Sequence, residues 1–155
     1  MSFVVSGLSV ETFRPLFGLS EAALAARGVL RRIVETRPGS PCRITLEDAQ
    51  LGERVLLLNY EHQSADTPYR ASHAIFVREA ALETKVVEGE IPEVFRGRTL
   101  SLRAFDDGGM MVDAGLCQGD DAAPFIERLL TAPGAAYLHA HYAGRGCYAA
   151  RIDPA

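Results

Sequence analysis

The segment Tyr137-Leu138-His139-Ala140-His141-Tyr142, followed by Ala143-Gly144-Arg145-Gly146 and Cys147-Tyr148, holds the residues best suited to chemistry. Side chains alternate between the faces of a β-strand, so residues two apart point the same way. His139 and His141 therefore share one face, about 7 Å apart along the strand. Two imidazoles so placed can bind a metal ion or an anion, or move a proton. They are the expected catalytic pair, and the expected ligands if a metal binds.

A second group flanks a polar stretch expected to be a loop from Glu61 to Tyr69, where His62 and His73 bracket Glu61, Asp66, Tyr69, Arg70 and Ser72. Loops held by a rigid scaffold commonly carry function. Arg70 is the expected anchor for a carboxylate or phosphate, because its planar fork matches those groups. His62 and Tyr69 are further ligand-binding candidates, and His73 joins His139 and His141 as a catalytic candidate. Cys42 lies between Pro41 and Arg43, and a neighbouring guanidinium favours the reactive thiolate. Of the three cysteines it has the strongest claim to chemistry, although buried cysteine more often acts as a small apolar residue. The doublet Asp106-Asp107 precedes Gly108 and is assigned to a turn rather than a metal loop.

These groups need elements to hold them. A chain of 155 residues suits one domain, 1–155, and can bury about two-thirds of its unfolded surface. Apolar residues at 48% and charged residues at 23% are values of a globular chain. Phe3 to Ser6 reads as an opening strand. Ser9 and Ser20 are placed to cap two short helices, the second closed by Gly28. Strands are expected over Val29 to Glu35, Val55 to Tyr60, Ser72 to Arg78, Thr84 to Val87 and Glu93 to Arg96. The Val55 run is apolar on both faces, as a central covered strand would be. Leu100 to Phe105 and Met110 to Leu116 flank Asp106-Asp107-Gly108-Gly109 and form a hairpin, with both methionines in the core. Asp121 caps one clear amphipathic helix, Ala122 to Ala132, near the C-terminus. Its apolar stripe is Phe125, Ile126, Leu129 and Leu130. A last hairpin joins the His139/His141 strand to Cys147–Ile152. A two-residue Gly144-Arg145 loop would pair His141 with Tyr148 and turn Cys147 away from the histidines. The expected fold class is α+β, built on a largely antiparallel sheet.

Several function classes are disfavoured. A net charge of −4 and a pI near 5.6 argue against a nucleic-acid partner, which usually meets a basic stripe. Of sixteen basic residues only Lys85 is lysine, but no arginine cluster is dense enough to change that. No segment approaches the run of about 20 apolar residues that spans a bilayer, so no membrane partner is expected. The N-terminus has no signal-peptide pattern, and an odd number of widely spaced cysteines is no disulfide framework. Those features indicate a cytoplasmic protein with reduced thiols.

Pro41-Cys42-Arg43, Leu56–His62, Pro68–Glu79 and the closing His139-Ala140-His141…Gly146-Cys147-Tyr148-Ala149-Ala150-Arg151 carry a resemblance across nearly the whole chain. The sequence resembles the bacterial domain-of-unknown-function family 1203, whose members are single-domain proteins of about this length. The resemblance implies no activity, substrate or cofactor. Better-known histidine sites fit only in part. A cupin-type metal site needs an acidic ligand within Tyr142 to Tyr148, and none is there. A histidine-triad hydrolase needs a third histidine where Ala143 stands.

The leading expectation is a small cytosolic protein with one pocket, lined by His139, His141, His73 and Arg70, for a small anionic or polar molecule. In an enzyme a histidine would serve as general base and Arg70 would hold the substrate. A non-catalytic binding or dimerising module with structural histidines is the rival, and a metal-dependent enzyme using His139 and His141 the third reading. No cofactor is required by the sequence, and it leaves the oligomeric state open.

Overall fold

The computed structural model describes residues 2–155. Nine strands form two antiparallel sheets, and the fold class is α+β as expected. Chain order runs β1 (Phe3–Ser6), α1 (Val10–Phe13), α2 (Glu21–Ala25), β2 (Leu30–Ile33), β3 (Arg54–Gln63), β4 (Ala71–Arg78) and β5 (Val86–Glu88). It continues with β6 (Thr99–Phe105), β7 (Met111–Gln118), α3 (Ala122–Leu130), β8 (Tyr137–Tyr142) and β9 (Tyr148–Pro154).

The large sheet has the order β5-β1-β9-β8-β6-β7, and the small one β2-β3-β4. Alternation gives the large sheet two unlike faces. Leu100, Leu102, Ala104, Leu138, Ala140 and Ile152 pack under α3, whose Ala122, Ile126, Leu129 and Leu130 fill the main core. The opposite face carries Ser101, Arg103, His139, His141 and Tyr148, matched by register across β6, β8 and β9. The small sheet sits at the centre of a second core, in which Leu56, Leu58, Ile75 and Val77 meet Val10, Phe13, Leu24 and Ile44. Its far end reaches the histidine face of the large sheet, where His62 and His73 meet His141. Between the sheets the buried Asp48 carboxylate receives a two-pronged hydrogen bond from Arg98 at 2.7 and 3.0 Å.

The structure corrects several local expectations. β3 runs through Glu61, His62 and Gln63, so His62 is a strand residue and the loop starts only at Ser64. Glu93–Phe95 is a 3-10 turn, not a strand; Val94 and Phe95 are buried by it, which a half-exposed strand there would not achieve. Ser20 caps α2 through Ala23 N–H at 3.1 Å, whereas Ser9 and Asp121 make no side-chain cap. Phe125 lies at the edge of the α3 stripe, 36% exposed, and Met110 is 42% exposed at the hairpin rim. Both are at positions where the apolar surface runs out, and periodicity alone cannot locate that edge.

The last hairpin keeps the expected register by a different turn. Tyr142 N–H donates to Cys147 C=O at 2.9 Å, and His141 lies opposite Tyr148. The loop nevertheless spans Ala143 to Gly146, closed by Gly146 N–H to Tyr142 C=O at 2.7 Å. The left-handed residue is Gly146, at φ 79°, rather than Gly144. Four residues or two, the count is even, so the faces are as expected. An irregularity then follows: Ala140 pairs with Ala150, leaving Ala149 as an extra residue in β9. That bulge places Arg151 opposite His139, on the histidine face, although it is three residues from Tyr148.

Candidate functional site

All four histidines of the chain converge between the sheets, from β3, β4 and β8. His62 Nε2 and His73 Nδ1 face each other at 2.7 Å. The His62 ring lies parallel to Tyr148 at 5.1 Å and edge-on to His141 at 4.9 Å. His139 meets Tyr148 edge-on at 5.2 Å and Phe105 at 5.1 Å. A bulge at His62, between Glu61 and Gln63, puts that residue at the end of the paired ladder. Alternation from Tyr60, which pairs with His73, puts His62 on the same face as His73.

The tautomer of His141 follows from its partner. Its Nδ1 lies 2.9 Å from the Gly146 carbonyl, which can only accept, so Nδ1 carries the proton. The Nε2 lone pair is therefore free, and Arg103 Nη1 points at it from 3.5 Å. His139 and His141 are 3% and 1% exposed. Burial pushes both down to about 3, and His62 down to about 4, with the nearby Arg103 charge acting in the same direction. His73 is lowered by the same causes. The four imidazoles are thus neutral at physiological pH.

Arg103 completes the group. It lies directly opposite His139 on β6, donates Nε–H to Ser101 Oγ at 3.2 Å, and among the described residues forms no ion pair. Partial burial lowers its own pKa. Two imidazole nitrogens, His62 Nδ1 and His139 Nδ1, are buried with no hydrogen-bond partner. Both residues line a cleft of about 440 Å³, together with Gln63, Asp107, Tyr137 and Arg151. Arg151 covers the Tyr137 ring at 3.9 Å and pairs with Asp153 at 2.9 Å.

The site thus contains His139, His141, His73 and His62. The other sequence candidates lie apart from it. Arg70 forms an exposed ion pair with Glu61 at 3.1 Å, both on the small-sheet surface. Tyr69 is 38% exposed and touches Phe105 edge-on. Cys42 is buried, and its sulfur accepts N–H from Ile44, Thr45 and Arg78 at 3.3–3.4 Å. Cys147 lies on the face away from the histidines, where Arg43 Nη2 contacts its sulfur at 3.2 Å. Sequence reading passed over Arg103 and Arg151. For Arg103 the signal was present: in Leu100-Ser101-Leu102-Arg103-Ala104 the polar residues share one parity, so the hairpin has a second, polar face. For Arg151 parity misleads, because the bulge reverses it.

An α+β protein with a histidine and arginine centre enclosed between two antiparallel sheets is the class defined by these features. The chain belongs to the family described as protein of unknown function (DUF1203), whose model matches residues 39–153. The match runs from before β3 into β9 and covers every residue of the centre. No curated protein and no solved structure matches the chain.

Proposed function

We propose that this protein binds a small anionic or polar molecule of the carboxylate or phosphate class at the histidine centre. Arg103 is the anion anchor, and the neutral histidines are the groups that exchange a proton. The observation that carries this reading is the unpaired Arg103 guanidinium, partly buried among four neutral imidazoles. A desolvated cation without a counter-charge is costly, and a bound anion offsets that cost. An anion would also raise the pKa of the surrounding imidazoles toward neutrality, making them competent acid–base groups only when the ligand is present. His139, whose Nδ1 has no partner and which lies directly opposite Arg103 on the neighbouring strand, is the histidine best placed to meet the ligand. We place this activity in the bacterial cytosol, a setting consistent with three free thiols, and expect neither nucleic acid nor membrane as partner. No helix among the described residues is long and apolar enough to cross a membrane.

The test is calorimetric titration of chelator-treated protein with inorganic phosphate, sulfate and small mono- and dicarboxylates. At least one should bind, with affinity at least tenfold weaker in Arg103→Gln and unchanged in Arg70→Gln. Binding that survives Arg103→Gln undiminished, or no binding by any of these anions, overturns the assignment.

A further inference from the structure

His62, His73 and His141 each offer one ring nitrogen, and these three atoms all lie within 4.8 Å of one another. Three strands of two different sheets supply them. We propose that they form a binding site for a divalent transition metal of the zinc class, with a fourth position left open. This differs from the metal pair expected from sequence, because His139 takes no part.

Chemistry of the donor set supports the assignment. Three neutral imidazoles suit Zn²⁺, Co²⁺ or Ni²⁺ rather than Ca²⁺ or Mg²⁺, which prefer oxygen. Around a tetrahedral zinc, nitrogens at about 2.0–2.1 Å from the metal lie roughly 3.3 Å apart. Here His62 Nε2 and His73 Nδ1 are 2.7 Å apart, and the full set lies within 4.8 Å. An opening of the first pair and a closing of the third ligand reach that geometry. His141 is already oriented: its Nδ1–H is held by the Gly146 carbonyl, which leaves the Nε2 lone pair as the nitrogen able to bind a metal. Such an outer partner typically fixes the tautomer of a metal-bound histidine. The opposing feature is Arg103, whose guanidinium is 3.5 Å from that same nitrogen. Its charge repels a bare cation but favours an anion over water as the fourth ligand. Arg103 would therefore turn from His141 to the anion when metal enters. Three histidines with an open fourth position are also the arrangement of metal sites that activate a bound molecule.

The metal site stands on its own triad and does not depend on the anion reading, which is tested in chelator. Full-length protein stripped with chelator is titrated with Zn²⁺ and with Co²⁺ in a non-coordinating buffer. One equivalent per chain should bind, and Co²⁺ should show the intense visible absorption of a four-coordinate ion. His73→Asn and His62→Gln should each weaken binding at least tenfold, whereas His139→Gln should retain one equivalent. Folding of each variant is checked by circular dichroism. Wild-type protein supplies an independent readout: in histidine ¹⁵N spectra Zn²⁺ should shift a coordinated ring nitrogen in His62, His73 and His141 and none in His139. Absence of stoichiometric binding, direct coordination by His139, or an unchanged Co²⁺ spectrum in His73→Asn overturns the site.

Discussion

Acidification should unfold this protein through its histidines, and by an amount that the structure sets. His139 and His141 are buried, and desolvation holds both at about 3, against about 6.5 in an unfolded chain. The sign follows from proton counts. Between those values the unfolded chain binds protons that the folded chain refuses, so stability falls as pH falls. Their contribution is fully present above about pH 6.5 and lost toward pH 3. Near pH 5 each histidine differs by almost one proton between the two states, so the pair gives a slope of about 2.5 kcal/mol per pH unit. Integrated from about pH 7 to 4.5 the loss is about 5 kcal/mol, comparable to the whole stability of many domains. His62, lowered to about 4, adds in the same direction. The stability from Glu53, held down by its hydrogen bond from Arg78, is present through this range and is lost only as pH falls through and below the usual carboxylate values. Urea denaturation in chelator at a series of pH values measures the slope, and the double variant His139→Gln/His141→Gln serves as reference. The variant should lose about 2.5 kcal/mol per pH unit of slope near pH 5. Equal slopes in the two proteins, or a wild-type stability flat between about pH 7 and 4.5, would refute the reasoning. The histidines would then be hydrated or charged in the folded state.

Three further outcomes are expected. Leu129→Ala should destabilise the fold by about 2–5 kcal/mol because Leu129 is fully packed under the large sheet, whereas Phe125→Ala on the exposed edge should cost less than about 1 kcal/mol; equal losses in chemical denaturation would put α3 on the wrong face. Gly146→Ala forces a side chain into the left-handed region and should cost about 1–2 kcal/mol in thermal denaturation, and no loss would place the strain elsewhere. All three thiols should alkylate after unfolding without reductant, and in the folded protein half-exposed Cys147 should react well before buried Cys42 and Cys117; mass spectrometry showing an intramolecular disulfide, or Cys42 labelled first, would contradict the structure.

Local rules determined a good part of this molecule. Alternation placed His139 and His141 on one face, the Asp106–Gly109 segment marked the β6–β7 hairpin, and the even turn put Tyr148 opposite His141. Pattern reading reached the fold class too, because strands and tight turns are encoded within a few residues. Tertiary structure alone decided the centre. His62 and His73 join His141 only because the small sheet docks end-on against the large one, over more than sixty positions of chain, and no local periodicity reports that docking. The bulge at Ala149 reverses the parity on which strand reading depends and carries Arg151 to the histidine face, while the one at His62 shifts the pairing so that Gln63 falls opposite Ala71. Arg70 and Arg103 look alike as residues. Docking leaves one paired with Glu61 in solvent and the other half-buried without a counter-charge, and burial is a property of the assembled sheets rather than of either sequence segment.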